Sequence, residues 1–150
     1  MLEGSKEIGE EINIGGGNNP PGNILIVDDE PEIREMVSEI LQARGFQTRA
    51  VENGVEALDS VLEHQPDLIL LDVRMPGIDG FEVCRRLNSQ EKFRPIPVVF
   101  LSGLTDPSDM ATAFASGGWD YVVKPFKEKE LIARIQVHLQ RSQSAGRLQN

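Results

Sequence analysis

Polar residues able to bind a cation or a phosphate follow four of the short apolar runs in this sequence. They are Asp28 and Asp29, Asp72, Ser102 and Lys124. Carboxylates held close together repel one another unless a cation lies among them. Because no histidine or free cysteine is close to these acids in sequence, an all-oxygen site suited to Mg²⁺ is expected. Lys124 and Ser102 offer a charge and a hydroxyl to phosphoryl oxygens, and a carboxylate left free to attack would form an acyl phosphate.

The runs that precede these residues have the composition of buried β-strands. Residues 24–27, 68–71, 98–101 and 121–123 are short and apolar, and 46–51 forms a weaker run. Apolar residues at helical spacing lie between and after them, including Ile33, Met36, Val37, Ile40 and Leu41, then Val55, Leu58, Val61 and Leu62, then Phe81, Cys84 and Leu87, and finally Leu131, Ile132, Ile135 and Leu139. Pro31 and Gly45 suit the start and stop of the first helix, and Asp106 suits an N-cap. The alternation predicts a doubly wound α/β domain with a five-stranded parallel sheet.

Strand ends give the separate polar residues a common location. In an open parallel sheet, binding sites lie beyond the carboxyl ends of the strands. Taken alone, Asp28-Asp29 before Pro31 reads as a helix cap, and Asp72 reads as a turn residue. Their placement at successive strand ends, together with Ser102 and Lys124, favours one shared site.

Three strings make the sequence similar to a known family. Residues 26–30 read IVDDE, residues 71–80 read LDVRMPGIDG, and residues 121–126 read YVVKPF. In this order and spacing they resemble the receiver domains of response regulators, over residues 23–139. The resemblance implies a (βα)5 flavodoxin-like fold with strand order 2-1-3-4-5.

The same resemblance implies a role for each site residue. Asp72 would accept a phosphoryl group and, with Asp29, would ligate Mg²⁺ directly. Asp28 would act through a water, and the backbone carbonyl of Arg74 would complete the protein ligands. Lys124 would contact the phosphoryl group, next to a cis bond before Pro125. Ser102 and Tyr121 would be the switch residues, one moving toward the phosphoryl group and the other swinging inward.

A receiver domain implies particular partners. The donor would be a sensor histidine kinase or a histidine phosphotransfer protein, whereas the sequence does not identify the output, and a homodimer is left open. The net charge of −9 disfavours direct binding of nucleic acid or anionic membrane. Cys84 is the single cysteine, no apolar run is long enough for a membrane span, and the acidic start lacks a signal sequence. A cytoplasmic location is therefore expected.

The segments outside the receiver region have different compositions. Residues 1–22 are rich in Gly, Asn and Pro and are expected to be a flexible leader, while the polar residues 140–150 would be a helix extension or a linker. Inside the domain, His64 and His138 are expected to be solvated helix residues. Cys84 is expected in the core, and Trp119 would either pack or take part in an interaction surface.

Two other functions compete with the phosphorylated switch. A receiver-like binding module would signal without phosphorylation, but such domains usually lack an acid, the acceptor or the lysine. A metal-dependent phosphohydrolase would also use an aspartyl nucleophile, but it generally needs a second acid nearby for turnover. Arg74 occupies the second position after Asp72 instead.

Overall fold

A computed structural model of the chain describes residues 22–149, with side chains up to residue 144. The leader predicted for residues 1–22 therefore lies, except for Gly22, outside the described residues. The strands are β1 (Asn23–Val27), β2 (Gln47–Val51), β3 (Leu68–Leu71), β4 (Val98–Ser102) and β5 (Asp120–Val123). The α-helices are α1 (Pro31–Ala43), α2 (Gly54–Glu63), α3 (Gly80–Asn88), α4 (Pro107–Ala115) and α5 (Glu128–Gln149), and a short 3₁₀ helix spans Glu91–Phe93.

The five strands form one parallel sheet in the order β2-β1-β3-β4-β5. This arrangement confirms the predicted fold class and strand order. Successive side chains of a strand point to opposite faces. Leu25 and Val27 accordingly join an apolar cluster with α2, α3 and α4, while Ile24 and Ile26 join a second cluster with α1 and α5.

Local signals in the sequence place most of the helix ends. Pro31 opens α1, and Gly45 follows it with φ +90°, the left-handed conformation that glycine adopts without strain. The Asp106 side chain accepts a hydrogen bond from the Ser108 N–H and caps α4, as predicted. Among the described residues, no helix is both long and apolar enough to cross a bilayer.

The rotation of α1 and α2 differs from the expectation that all their apolar positions face the core. Met36 is 41% exposed, Val55 59% and Leu62 63%. Each helix carries more apolar residues than its buried face can hold. Val37 in α1 and Val61 in α2 fill those faces, so the extra residues lie in solvent.

Candidate functional site

The predicted site residues lie together at the carboxyl edge of the sheet because backbone hydrogen bonds hold the strand ends in register. The Asp72 N–H donates to the Val27 carbonyl over 2.9 Å, and the Lys124 N–H donates to the Ser102 carbonyl over 2.8 Å. These bonds extend the strand pairing to the loops that carry the side chains. The structure thus brings together at one edge Asp28, Asp29, Asp72, Ser102 and Lys124.

Three aspartates form the acidic part of this site. Asp28, Asp29 and Asp72 each offer a carboxylate oxygen, and these oxygens lie within 4.8 Å of one another. Asp28 and Asp72 are buried, whereas Asp29 is exposed. A set of hard oxygen donors with one side open to water fits a small divalent cation that retains part of its hydration shell.

The Lys124 ammonium neutralises part of this acidic cluster. Its Nζ lies 2.8 Å from Asp28 Oδ2, 3.4 Å from Glu30 Oε1 and 3.5 Å from Asp72 Oδ2. Burial alone would lower the pKa of Lys124, but the hydrogen bond to Asp28 and the nearby carboxylate charges outweigh it and raise that pKa. The side chain therefore stays protonated beside Asp72. The peptide bond between Lys124 and Pro125 is cis, as the resemblance implies.

The Asp72 carboxyl group has fewer compensating contacts than its burial requires. Burial and the charge of Asp28 raise its pKa from 3.8 to about 6, although Lys124 and a hydrogen bond from the Val73 N–H oppose the shift. An ionised carboxylate that is buried and incompletely neutralised has a high-energy ground state. Asp72 can therefore gain from a cation or from bonding to an electrophile.

Glu30 and Arg34 also support the acidic loop, and the sequence analysis did not assign them a role. The Glu30 N–H donates to Asp28 Oδ1 over 2.9 Å. Arg34 donates to the Asp28 carbonyl over 2.7 Å and lies 3.9 Å from Glu52. The available signal was the i, i+4 spacing of Glu30 and Arg34, which places an arginine one turn above the strand end.

Gly80 fixes the approach of α3 to the loop that carries Asp72. A Cβ at this position would lie 2.2 Å from the Asp72 carbonyl oxygen, so only glycine permits the contact. The Gly80 N–H donates to the Val73 carbonyl over 2.8 Å. The backbone on the carboxyl side of Asp72 is consequently held against the start of α3.

The two predicted switch residues contact the backbone of the same residue, Leu104. Ser102 Oγ accepts a hydrogen bond from the Leu104 N–H over 3.3 Å, and the Tyr121 hydroxyl donates to the Leu104 carbonyl over 2.8 Å. Tyr121 is 8% exposed and packs against Phe100, with ring centroids 6.2 Å apart. Its side chain already lies inward in this structure, so the predicted swing stays a prediction.

Arg74 and Leu104 border the open side of the site. They line one cleft together with Asp72, Ser102 and Lys124. Arg74 follows Asp72 by two positions, which places its backbone beside the acidic cluster. The contribution of its carbonyl to a metal site stays a prediction.

The prediction that His138 is solvated was wrong. The residue is 7% exposed, its Nε2 lies 2.9 Å from Asp120 Oδ2, and its ring packs edge-to-face against Trp119 at 6.0 Å between centroids. The register of α5 turns this position toward β5, which the sequence did not reveal. Trp119 therefore has a packing partner. His64 is exposed just after α2, and Cys84 is buried, as expected.

Comparisons with known proteins agree with this fold. The topology defines a doubly wound, flavodoxin-like α/β domain. The sequence profile described as "Response regulator receiver domain" matches residues 24–136. The chain therefore belongs to the response regulator receiver domain family and is a receiver domain of a two-component response regulator.

Individual relatives cover most of the chain. The DNA-binding response regulator MtrA of Mycolicibacterium smegmatis is 43% identical over 120 residues, which are 80% of this chain and 51% of that protein. This chain thus spans about half the length of the curated relatives it matches. The receiver domain of a signal transduction histidine kinase from Syntrophus aciditrophicus is 40% identical with a TM-score of 0.75, covering 79% of this chain and 90% of that one. The BeF3-activated receiver domain of Klebsiella pneumoniae RstA is 30% identical with a TM-score of 0.73, covering 78% and 97%.

Proposed function

We propose that Asp72 accepts a phosphoryl group from a phosphohistidine of a sensor kinase or phosphotransfer protein. One observation carries the proposal. Asp72 is a buried carboxylate with two further carboxylates and one ammonium beside it, in a cleft open to solvent. A divalent cation among these carboxylates would offset their excess negative charge and that of an incoming phosphoryl group.

The transfer exchanges one bond of phosphorus for another. A carboxylate oxygen of Asp72 forms a bond to phosphorus while the bond between phosphorus and the donor imidazole nitrogen breaks, and the electron pair stays on that nitrogen. The Lys124 ammonium, already 3.5 Å from Asp72, neutralises a phosphoryl oxygen. Catalysis by such a site consists of positioning and charge neutralisation.

The acidic cluster would hold Mg²⁺ during this transfer. Asp29 and Asp72 would ligate it directly, Asp28 through a water, and Arg74 through its backbone carbonyl. When bound, the ion supplies positive charge to the phosphoryl oxygens. The observation in support is the chemistry of the donor set, since carboxylate oxygens without nitrogen or sulfur suit a hard cation.

Acetyl phosphate labelling tests the acceptor. With Mg²⁺ present, mass spectrometry should show the gain of one phosphoryl group per chain. The label should be lost slowly, and the chain should not go on consuming acetyl phosphate as an enzyme would. Asp72→Asn should remove the label. Asp67→Asn is a matched control because Asp67 precedes β3 as Asp72 follows it, and its carboxylate accepts a hydrogen bond from the Asn23 N–H. Labelling that survives in Asp72→Asn would refute the assignment, and sustained turnover of donor would favour a phosphohydrolase.

We also propose that the phosphorylated domain controls an output module. The support is that MtrA is named a DNA-binding response regulator, and that this chain matches about half the length of MtrA. Phosphorylation would draw Ser102 toward the phosphoryl group and alter the contacts of Tyr121. Sedimentation of the chain with and without beryllofluoride tests whether the switch includes a homodimer. A single monomeric species in both conditions would contradict that part.

A further inference from the structure

The solvent side of α2 carries two parallel stripes of different chemistry. Val55 and Leu62 are 59% and 63% exposed, and Leu58 lies between them, half-buried against the core. This i, i+3, i+7 spacing places the three residues along one line of the helix. Exposed aliphatic residues scattered singly need no explanation, but aligned ones form a contact surface.

The second stripe is acidic and runs beside the first. Glu52, just before the helix, and Glu56, Asp59 and Glu63 within it are all exposed and lie three or four positions apart. Residues 50–73 contain no Lys or Arg. Among the described residues, the ion pairs do not include Glu56, Asp59 or Glu63, whereas Glu52 lies 3.9 Å from Arg34. Most of this acidic stripe therefore has no ion-pair partner in the part of the chain that the structure describes.

Arg49 is the basic side chain nearest this helix in sequence, and it lines one cleft with Glu56 and Glu63. Among the described residues it forms no ion pair with them. Its guanidinium donates to the hydroxyl of Ser60, which is buried, and to the carbonyl of His64. The arginine thus ties β2 to the end of α2. The carboxylates above it remain open to solvent.

We propose that the α2 surface, defined by Val55, Leu58 and Leu62 with the flanking acids Glu56, Asp59 and Glu63, binds a basic amphipathic helix of a partner protein. An apolar stripe on such a helix would cover the aliphatic stripe. Lys and Arg along one side of it would face the acids, which gives orientation and specificity. At its first turn, α2 shares a cleft with Asp29, Pro76 and Ile78, so the bound helix would reach the border of the phosphorylation site.

Charge distinguishes this occupant from the others that an apolar stripe admits. A second copy of the chain would bring a net charge of −9 and, in a two-fold arrangement, would set acids against acids. Anionic lipid and nucleic acid would meet the same repulsion. A helix with basic flanks is the occupant that gains from both stripes.

A peptide titration tests the surface on the full chain. The probe is a synthetic amphipathic helix of about 14 residues, long enough to be helical when bound, with leucines on one face and Lys and Arg beside them. Its control has the same composition, reordered so that the leucines do not share a face. Spectra of ¹⁵N-labelled protein at about 0.15 M salt should locate binding on α2 for the probe alone, because that salt screens nonspecific attraction.

Surface variants give the decisive comparison. Leu62→Gln and Asp59→Lys should each weaken probe binding about tenfold, a typical loss for a central contact residue. Phe114→Gln is the matched control, since Phe114 is a 51% exposed apolar residue on α4, and it should bind as the wild type does. Thermal melting verifies that each variant folds. Equal binding of the reordered peptide, shifts that map elsewhere, no saturation, or self-association abolished by Leu62→Gln would each overturn the proposal.

Discussion

Two aspartates with little exposure, Asp72 and Asp120, have opposite electrostatic settings. Asp72 follows the last residue of β3, whereas Asp120 is the first residue of β5, at the opposite edge of the sheet. Asp120 accepts hydrogen bonds from Arg134 at 2.7 Å and from its neighbouring Tyr121 N–H at 2.8 Å, and it lies 2.9 Å from His138. Burial alone would raise the pKa of Asp120, but these partners outweigh it and lower that pKa. For Asp72, burial and a neighbouring acid prevail instead.

The difference separates a structural carboxylate from a reactive one. A buried charge with all its partners present contributes to the folded state, whereas one with too few partners has a higher energy. The partners that Asp72 lacks, a cation and an electrophile, are ligands that can come and go. Asp72 can therefore still bind a ligand, whereas the partners of Asp120 are already in place.

Replacing the basic side chain beside each aspartate should produce the largest difference in labelling rate. Lys124→Met deletes the charge beside Asp72 and should slow acetyl phosphate labelling by about 10²–10³, the usual loss for one transition-state partner. Arg134→Met removes the equivalent partner of Asp120 and should leave the labelling rate unchanged. The measurement is initial labelling rate by mass spectrometry. Equal slowing in both variants would mean that the effect arises from altered folding.

Removing the charge of Asp120 should destabilise the domain. Asp120→Asn removes the negative charge between Arg134 and His138 and replaces one acceptor oxygen with an NH2 donor, so the free energy of unfolding should fall by about 2 kcal/mol. Because the folded-state pKa of Asp120 is depressed, its contribution is present above the ordinary Asp pKa and is lost as pH falls below it. Urea unfolding at neutral pH is the measurement. No change in midpoint would contradict the structural role.

The corresponding change at Asp72 should have the opposite sign. Asp72→Asn removes an under-compensated charge, and without divalent cations it should raise the free energy of unfolding at pH 7.5 by about 1–2 kcal/mol, after allowance for solvent screening.

The pH dependence of this gain follows from the raised pKa. Between pH 3.8 and about 6, Asp72 binds more protons in the folded than in the unfolded chain, so its contribution to stability falls as pH rises through that window. The advantage of Asp72→Asn should therefore shrink on acidification and vanish near pH 4. Urea midpoints of both proteins in EDTA provide the measurement, and a constant difference across that window would contradict the assignment.

Cation binding should give the smallest effect. Mg²⁺ at about ten times its dissociation constant should stabilise the folded chain by about 1.4 kcal/mol through mass action. Asp29→Asn should lose most of this gain, while Asp67→Asn should keep it. Thermal melting with and without Mg²⁺ is the measurement. An unchanged melting curve in the wild type would argue against a preformed cation site.

The sequence was sufficient to predict the sheet and the convergence of the site. Each apolar run was short and flanked by helical spacing, and parallel strands place their carboxyl ends at one edge whatever the loops do. This is why Asp28, Asp72 and Lys124 were expected together although 96 positions separate the first from the last.

Sequence patterns could not predict the burial and the hydrogen-bond partners that distinguish one acid from another. The setting of Asp120 depends on His138, whose burial follows from the rotation of α5 about its axis. The exposure of Val55 and Leu62 likewise depends on which apolar residues α2 turns toward the sheet. Spacing identifies a helix, but a helix with surplus apolar residues leaves its rotation undetermined.

The two peptide groups that flank Leu104 offer a spectroscopic reporter. The N–H of Leu104 faces Ser102 and its carbonyl faces Tyr121, so one residue experiences both predicted switch movements. Amide nitrogen and proton frequencies respond to hydrogen bonding at the N–H and at the adjacent carbonyl. The amide resonances of Leu104 and of Thr105, the residue that follows it, would separate the two movements in time. Their simultaneous change on adding beryllofluoride would indicate one concerted transition, and sequential change would indicate two.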